Sequence, residues 1–274
     1  RPFVVWTEGG ATHRLDGIDL LIGADGRYSQ VREHYSGRPA MRQFGISIFR
    51  MLVPDTSGGL IDDYEQWFNG NNRLLAFRVK SGQIYITGTF PIPVGDATPD
   101  ALKKPEALRA AYTPENGQLG AQAAWMVDVA CANVHELHWA RLQESDLSYG
   151  EPEARVLYLG DSAHGMVPTL GQGATQAVED ACVIAHLIAE HWKAGSRDAA
   201  EWIRAATALR TERMRFVMEL SVRASDTMIA GTDPVAGSRK KFEPAFLVEL
   251  RRLYCDIPGL ASSSAQALPE LTQT

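Results

Sequence analysis

The sequence of 274 residues is short of several things, and each shortage removes a class of function. Cysteine is scarce: Cys131, Cys182 and Cys255 are far apart and odd in number, which argues against a disulfide framework and for a reducing, cytoplasmic setting. Basic residues do not predominate, since 27 Lys and Arg face 33 Asp and Glu for a net charge of −6, so no nucleic-acid partner is expected. Long apolar runs are missing too. The best of them, Ala181 to Ala189, is short and broken by His186, so no membrane span is expected. The N-terminus opens on strand-like Phe3-Val4-Val5-Trp6, so no signal peptide is expected, and Arg1-Pro2 begins in mid-pattern without a methionine. There is no Walker loop, nucleophile elbow, paired-cysteine site or internal repeat. His135 and His138 lie three apart in a strand-like segment with no third ligand, so no metal site is expected.

What remains is ordinary globular material, 45% hydrophobic and 22% charged, enough for one large or two modest domains. Phe3 to Trp6 and Ile18 to Ile22 read as strands joined by a Gly9-Gly10 turn, the second apolar throughout as if buried on both faces. Ser29 is placed to cap a short helix through Arg32. From Phe44 to Phe90, short β-rich runs (46–53, 64–68, 74–79, 84–90) separated by Gly, Asn and Pro predict an antiparallel sheet, with a hairpin turn at Ser81-Gly82. Pro99 to Leu119 reads as a polar, partly helical connection, and Val134 to Leu142 as a further strand. Arg155 to Leu159 is a strand ended by Gly160-Asp161, and a loop follows from Ser162 to Leu170. A helix then runs from about Gly173 to Ala194, with Ala174, Ala177, Val178, Ala181, Ile184, Ala185 and Ile188 on one face. A second long helical stretch covers Asp198 to about Ala230, and the tail after Pro258 reads as loose.

The most specific segment is Arg155 to His164 and its continuation, Gly-Met-Val-Pro-Thr-Leu-Gly-Gln-Gly-Ala174, ending near Glu179-Asp180. A carboxylate at a strand's C-terminal end, here Asp161, accepts hydrogen bonds from polyol hydroxyls. Gly171 and Gly173 let a backbone approach a flat ligand closely. The helix they open directs free N–H groups and about half a positive charge at that ligand. At ~0.3–2 kcal/mol the dipole tunes such a ligand and cannot alone hold it.

This segment resembles the second FAD fingerprint of the FAD-dependent aromatic-ring hydroxylases, the p-hydroxybenzoate and salicylate hydroxylase family. Leu20-Leu21-Ile22-Gly23-Ala24-Asp25-Gly26, followed by Ser29 and Arg32, is similar to the family's other fingerprint. Leu209 to Ser221, with Arg210, Glu212, Arg213 and Arg215, resembles its C-terminal helix, so the likeness extends to about residue 225. The resemblance implies an α/β protein, with an incomplete Rossmann-like FAD-binding domain from residues 1–40 and 146–195, an inserted antiparallel-sheet substrate domain over 41–145, and a C-terminal helical region over 196–274. It implies that Asp161 binds the ribityl chain of FAD and that Gly160, Pro168, Leu170, Gly171, Gln172, Gly173 and Ala174 line the flavin. Asp25 and Gly26 would serve FAD and NAD(P)H. The implied reaction is hydroxylation of a small aromatic or N-heteroaromatic substrate with O2 and NAD(P)H. A non-catalytic piece, half of a nicked flavoprotein, an epoxidase and a halogenase stay open as alternatives.

One family feature is missing. No G-x-G-x-x-G follows a first strand, and Gly171-Gln-Gly-Ala-Thr-Gln176 has Gln where the last Gly belongs. An N-terminal segment, as part of the chain or as a separate one, is therefore an expected partner, and the chain alone is expected to be inactive. A homodimer also stays open. Arg73 and Tyr85 on adjacent strands, with Thr169 beside Pro168, are the candidates to approach the substrate. Arg50 reads as structural, His164 as a residue that fixes loop geometry, and the Arg-rich run from Arg204 to Arg223 as a solvated surface.

Overall fold

The computed structural model of the protein describes residues 1–80, 82–115, 117–255 and 257–260. In chain order its elements are β1 (Val4–Glu8), β2 (Ala11–Leu15), β3 (Leu21–Gly23), α1 (Gln30–Ser36), β4 (Met41–Pro54), β5 (Tyr64–Asn69), β6 (Asn72–Val79) and β7 (Gln83–Pro91). Then come α2 (Pro105–Tyr112), α3 (Ala121–Ala132), β8 (His138–Ser145), β9 (Gly150–Glu151), β10 (Val156–Tyr158), α4 (Asp161–His164), α5 (Gln172–Lys193), α6 (Ala199–Arg223), α7 (Pro234–Lys240) and α8 (Pro244–Arg252). The class is α/β, as the sequence predicts, and the chain divides into two compact units.

The first unit comprises Arg1–Arg42, Glu144–Val222 and the described residues from Pro244 onward. Its β1–β2 hairpin turns through Gly9 and Gly10, both at positive φ (57° and 83°). This corrects the expected pairing. A two-residue Gly-Gly turn pairs the residues on either side of it, Glu8 with Ala11, so the partner is Ala11–Leu15 and not Ile18 to Ile22. Only Leu21–Gly23 of that second run is a strand, and it joins a three-stranded sheet of order β3-β10-β9, parallel to β10. Lying at the sheet's edge, β3 leaves Ile22 45% exposed, so it is not buried on both faces, whereas Val156–Tyr158 in the centre is fully buried. Ser29 caps α1 as predicted: its hydroxyl accepts the Arg32 N–H at 2.9 Å.

Helix α5 shows the largest departure from expectation. Of the apolar face read from its sequence, Ala174, Val178, Ala181 and Ala185 are exposed. The buried side is Gln172, Gln176, Glu179, Asp180, Val183 and Ile184. Burying two carboxylates would be prohibitive alone, but Arg210 and Arg213 of α6 neutralise them. The exposed face leaves an apolar groove of about 680 Å³, lined by Ile22, Leu159, Ala181, Ala185, Ile188 and Trp192 among others.

The second unit, Gln43–Gln143 with Arg223–Glu243, holds a five-stranded sheet of order β5-β6-β7-β4-β8. Pairs β5–β6, β6–β7 and β7–β4 are antiparallel, which is the sheet the sequence predicts. The β6–β7 hairpin forms with Gly82 at φ 68°, while Ser81 lies outside the described residues. One face of the sheet buries Phe49, Met51, Val53, Leu74, Ala76, Ile84 and Ile86 against Leu108, Tyr112, Met126 and Val127 of α2 and α3. Gly88 admits that packing, since a Cβ there would sit 2.2 Å from the Phe49 ring. Helix α3 escaped the sequence reading because AQAAWMVDVACA is apolar nearly all round and carries no period. The strand expected over 134–142 begins at His138, after a short turn at Val134–Glu136. Helix α6 ends at Arg223, not near Ala230, and Arg223–Glu243 belongs to this unit although the sequence reading groups it with the C-terminal region. Of the tail expected to be loose, residues 261–274 lie outside the described residues.

Candidate functional site

Strand β10 delivers the chain to Gly160 at φ 61°, ψ −140°, a conformation that side chains other than hydrogen rarely permit. A Cβ at Gly160 would also stand 3.0 Å from the Ala177 Cβ, so glycine brings this turn close to α5. Asp161 then opens α4 with its carboxylate 40% exposed and the Arg27 Nε 3.8 Å away. The segment expected to be loop over 162–170 is therefore partly ordered, as α4 and a 3-10 turn at Pro168–Leu170.

Gly171, left-handed at φ 65°, starts the 22-residue helix α5, whose first turn has no side-chain cap. A Cβ on Gly173 would lie 3.8 Å from Asp161 Oδ1, so the uncapped helix end and the Asp161 carboxylate are neighbours. Pro168, Gly171 and Ala174 are exposed around them, and Leu170 is half-buried. Gln172 is buried, and its side chain reaches the Leu170 carbonyl (3.5 Å) and the Tyr254 hydroxyl (3.4 Å).

The two fingerprints meet physically. Arg32, 2% exposed, donates through Nη1 to the carbonyls of Ser162 (2.9 Å) and Ala163 (3.2 Å), and through Nη2 to Asp146. The Ser162 hydroxyl donates to the Gly23 carbonyl at 2.6 Å. Arg27 donates to the Met166 carbonyl at 3.0 Å. Asp25 is used locally: its carboxylate accepts the Ser29 hydroxyl (2.5 Å) and the Val31 N–H (3.1 Å). Burial alone would raise that carboxyl, but these bonds hold it below the usual range. Gly26, at φ 82°, completes the turn. Arg27 was missed in the sequence; its signal was a basic residue directly after Asp25-Gly26.

Behind α4 and α5 lies a buried polar network. Asp180 accepts from Tyr149 Oη (2.9 Å), Arg210 Nε (2.9 Å) and Gly160 N (3.1 Å), with His164 Nε2 at 2.6 Å. Glu179 pairs with Arg210 and, at 3.1 Å, with Arg213, which also donates to the Leu253 carbonyl. Burial opposes ionisation of both acids, yet the His164 contact on Asp180 and the arginines on Glu179 keep both carboxyls below their ordinary range. The Tyr149 hydroxyl is pushed well up by burial and by Asp180. Arg210 and Arg213 are thus buried partners, not part of a solvated surface. Adjacent acids at 179–180 and arginines at i, i+3 on α6 were the signal available.

In the second unit, Arg73 stands directly opposite Thr89 across the β6–β7 ladder. Facing pairs share one side of a sheet, and this is the side away from the apolar core. Arg73 Nε and Thr89 Oγ1 are buried without hydrogen-bond partners, and among the described residues Arg73 has no ion pair. Burial lowers the Arg73 guanidinium, against the influence of Tyr64, Tyr112 and Tyr85. Tyr85 is on the same side but four residues from Thr89, roughly 13 Å along the strand. Its ring packs on Phe77 (5.0 Å), which stacks on Tyr64 (6.4 Å). Arg50 is exposed, and Thr169 belongs to the first unit, half-buried. Among the described residues no group of His, Cys, Asp and Glu is arranged to hold a metal, and no helix is long and apolar enough to cross a membrane.

The chain is similar to several known proteins. A family described as FAD binding domain matches residues 125–219. A 2-heptyl-3-hydroxy-4(1H)-quinolone synthase of Pseudomonas aeruginosa is 30% identical over 176 residues, covering 61% of this chain and 42% of that protein. A 3-amino-4-hydroxybenzoate 2-monooxygenase of Streptomyces platensis is 32% identical over 229 residues, covering 76% and 53%. The chain thus spans about half the length of the curated relatives it matches. Among solved structures, Klebsiella pneumoniae HpxO complexed with FAD and uric acid superposes with a TM-score of 0.69 at 23% identity, covering 91% of this chain and 61% of that one.

Proposed function

We propose that the chain contributes the flavin and substrate sites of an FAD-dependent monooxygenase acting on an aromatic or N-heteroaromatic small molecule, supported by its likeness to an FAD binding domain over residues 125–219 and to curated aromatic-ring monooxygenases. The observation that carries this is the juxtaposition of the Asp161 carboxylate with the uncapped N-terminus of α5, across a glycine that has no Cβ to fill the space.

These residues fit FAD. The Asp161 carboxylate suits ribityl hydroxyls as acceptor, while the free N–H groups of Gly173 and Ala174 and the helix dipole suit the electron-rich edge of the flavin ring. Gly171 is open on the side its missing Cβ would occupy, which allows a flat ligand near the backbone. Reduced by NAD(P)H, FAD supplies the oxygen-activating chemistry with O2. The protein's part is to orient the ring substrate and to keep water from the site. Arg73 is proposed to receive an electron-rich oxygen or carboxylate of the substrate, supported by its unpaired Nε beside the unpaired Thr89 hydroxyl. Tyr85 and Thr169 remain proposed substrate neighbours. A reducing cytoplasmic location belongs to the same reading, supported by three free cysteines.

Two measurements test the proposal. Asp161→Ala should weaken FAD retention through gel filtration, and retention equal to wild type would remove Asp161 from the site. NAD(P)H oxidation should rise when a phenol or hydroxylated N-heterocycle is added, with oxygenated product. A halide-dependent product, or turnover without O2, would assign the fold to a different reaction.

A further inference from the structure

We propose that Asp180 is a positioning residue for the flavin site, clamping both ends of the α4 turn that carries Asp161 against helix α5. The inference rests on the FAD reading above. Asp180 belongs to α5, the helix whose N-terminus forms the other half of that site. Its two oxygens face different partners. Oδ2 accepts the Gly160 N–H at 3.1 Å and meets His164 Nε2 at 2.6 Å; Gly160 immediately precedes Asp161, and His164 ends α4. Oδ1 accepts from the Tyr149 hydroxyl and from Arg210 Nε, both at 2.9 Å, which anchors the carboxylate itself.

A carboxylate offers about four lone-pair sites, and four donors converge on this one. Ionised Asp is an acceptor only, so His164 Nε2 carries the proton shared with Oδ2, and Nδ1 is left buried and unpartnered. Both side chains are fully buried, so water does not compete for these bonds. The clamp sets the separation between Asp161 and the helix end. Gly160 is held where a Cβ would approach the Ala177 Cβ to 3.0 Å, and Asp161 Oδ1 where a Cβ on Gly173 would be 3.8 Å away. A ligand bonded to the carboxylate and to the helix N–H groups at once needs that spacing to be constant. Arg32 holds the carbonyls of Ser162 and Ala163 from the other side, so α4 has little freedom except through Asp180.

The test uses the flavin-loaded protein and reads three quantities: the FAD dissociation constant by fluorescence quenching, the visible circular dichroism of bound flavin, and the thermal midpoint. His164→Phe removes the donor to Oδ2 at similar bulk and should raise the dissociation constant at least about tenfold and change the dichroism. His164→Gln, which can restore an N–H toward Oδ2, should return the constant to within about threefold of wild type. Tyr149→Phe, on the Oδ1 side, should lower the midpoint and leave the constant nearly unchanged. If His164→Phe yields no folded protein, His164→Asn, too short for the same bond, is read by the same criterion. The clamp is overturned if the His164 and Tyr149 variants shift the constant only in proportion to their midpoints, or if loss of the donor leaves it unchanged. Asp161→Ala in parallel separates the two failures. An unchanged constant there removes the site reading, whereas a weakened one beside an unaffected His164→Phe removes the clamp alone.

Discussion

Arg73 faces Thr89 across the β6–β7 ladder with its Nε and the Thr89 hydroxyl both buried and unbonded. Buried polar groups are bonded in the great majority of cases, and an orphaned donor costs roughly 1–3 kcal/mol. Such a cost on the non-core side of a sheet is characteristic of a binding position, where a ligand supplies the missing acceptor. Arg73→Met is therefore expected to leave stability unchanged or raise it, by up to about 1 kcal/mol, while raising KM for an anionic or phenolic substrate at least about tenfold. FAD affinity should not move. Urea unfolding beside steady-state kinetics checks this, and a clear loss of stability would show Arg73 to be structural.

The buried arginine of the first unit makes the opposite prediction. Arg210 is fully buried between Asp180 and Glu179. Removing one partner of a buried pair leaves uncompensated charge and costs about 3–5 kcal/mol. Arg210→Met should accordingly reduce the unfolding free energy by that order, measured in denaturant at pH 7. A loss under about 1 kcal/mol would mean that water reaches the carboxylates in the folded state.

The same network has a pH signature. The carboxyls of Glu179 and Asp180 are held below their ordinary values, by the arginines and by His164 respectively, against the opposing effect of burial. Their stabilisation is fully present above the unfolded values, near ~4, and is lost as pH falls through the lower folded values. Unfolding free energy should be level from about pH 7 to 5 and decline below about 4. Asp180→Asn, less stable overall, should show a shallower decline. An equal slope in wild type and variant would place the acid sensitivity elsewhere; the exposed pairs at Asp16 and Asp100 are minor contributors.

How far the fold was legible follows from these residues. Strands β4 to β7 of the sheet were readable because their turns carry Gly and Asn and their runs are β-rich, whereas the place of β8 beside β4 was not, and Ser29 announced α1 by a local cap. The Asp161 turn and the glycines before α5 were legible as a candidate site because strand end, carboxylate and helix start are contiguous in the chain. What escaped was set by distant partners. The apolar periodicity of α5 does not mark its buried side, because Arg210 and Arg213, some thirty residues on, make Glu179 and Asp180 part of that side. Likewise, nothing local to Leu20-Leu21-Ile22 reveals that β3 is an edge strand. Tyr85 and Arg73 could be placed on adjacent strands from the sequence, but their separation depends on register, which only the folded ladder supplies.

Two glycines of the site separate fold from ligand binding. At Gly160, positive φ combines with the nearby Ala177 Cβ, so Gly160→Ala should destabilise the protein by about 1–3 kcal/mol whether or not flavin is present. At Gly171 the backbone is also left-handed, at φ 65°, but a Cβ would meet nothing within 4 Å. Its substitution costs only the conformational penalty of αL for a non-glycine residue, about 1 kcal/mol, and no steric clash within the protein. If that open space is where the flavin lies, the added methyl meets the ligand instead. Gly171→Ala should then weaken FAD binding by at least about tenfold with a thermal midpoint within a few degrees of wild type, the reverse of the Gly160 pattern. Calorimetric unfolding of the apo form, set beside FAD titration of both variants, decides the matter. Full FAD affinity in Gly171→Ala would mean that the ring does not approach the first turn of α5, and the cofactor would then have to be sought along the Arg27–Asp161 side of the site.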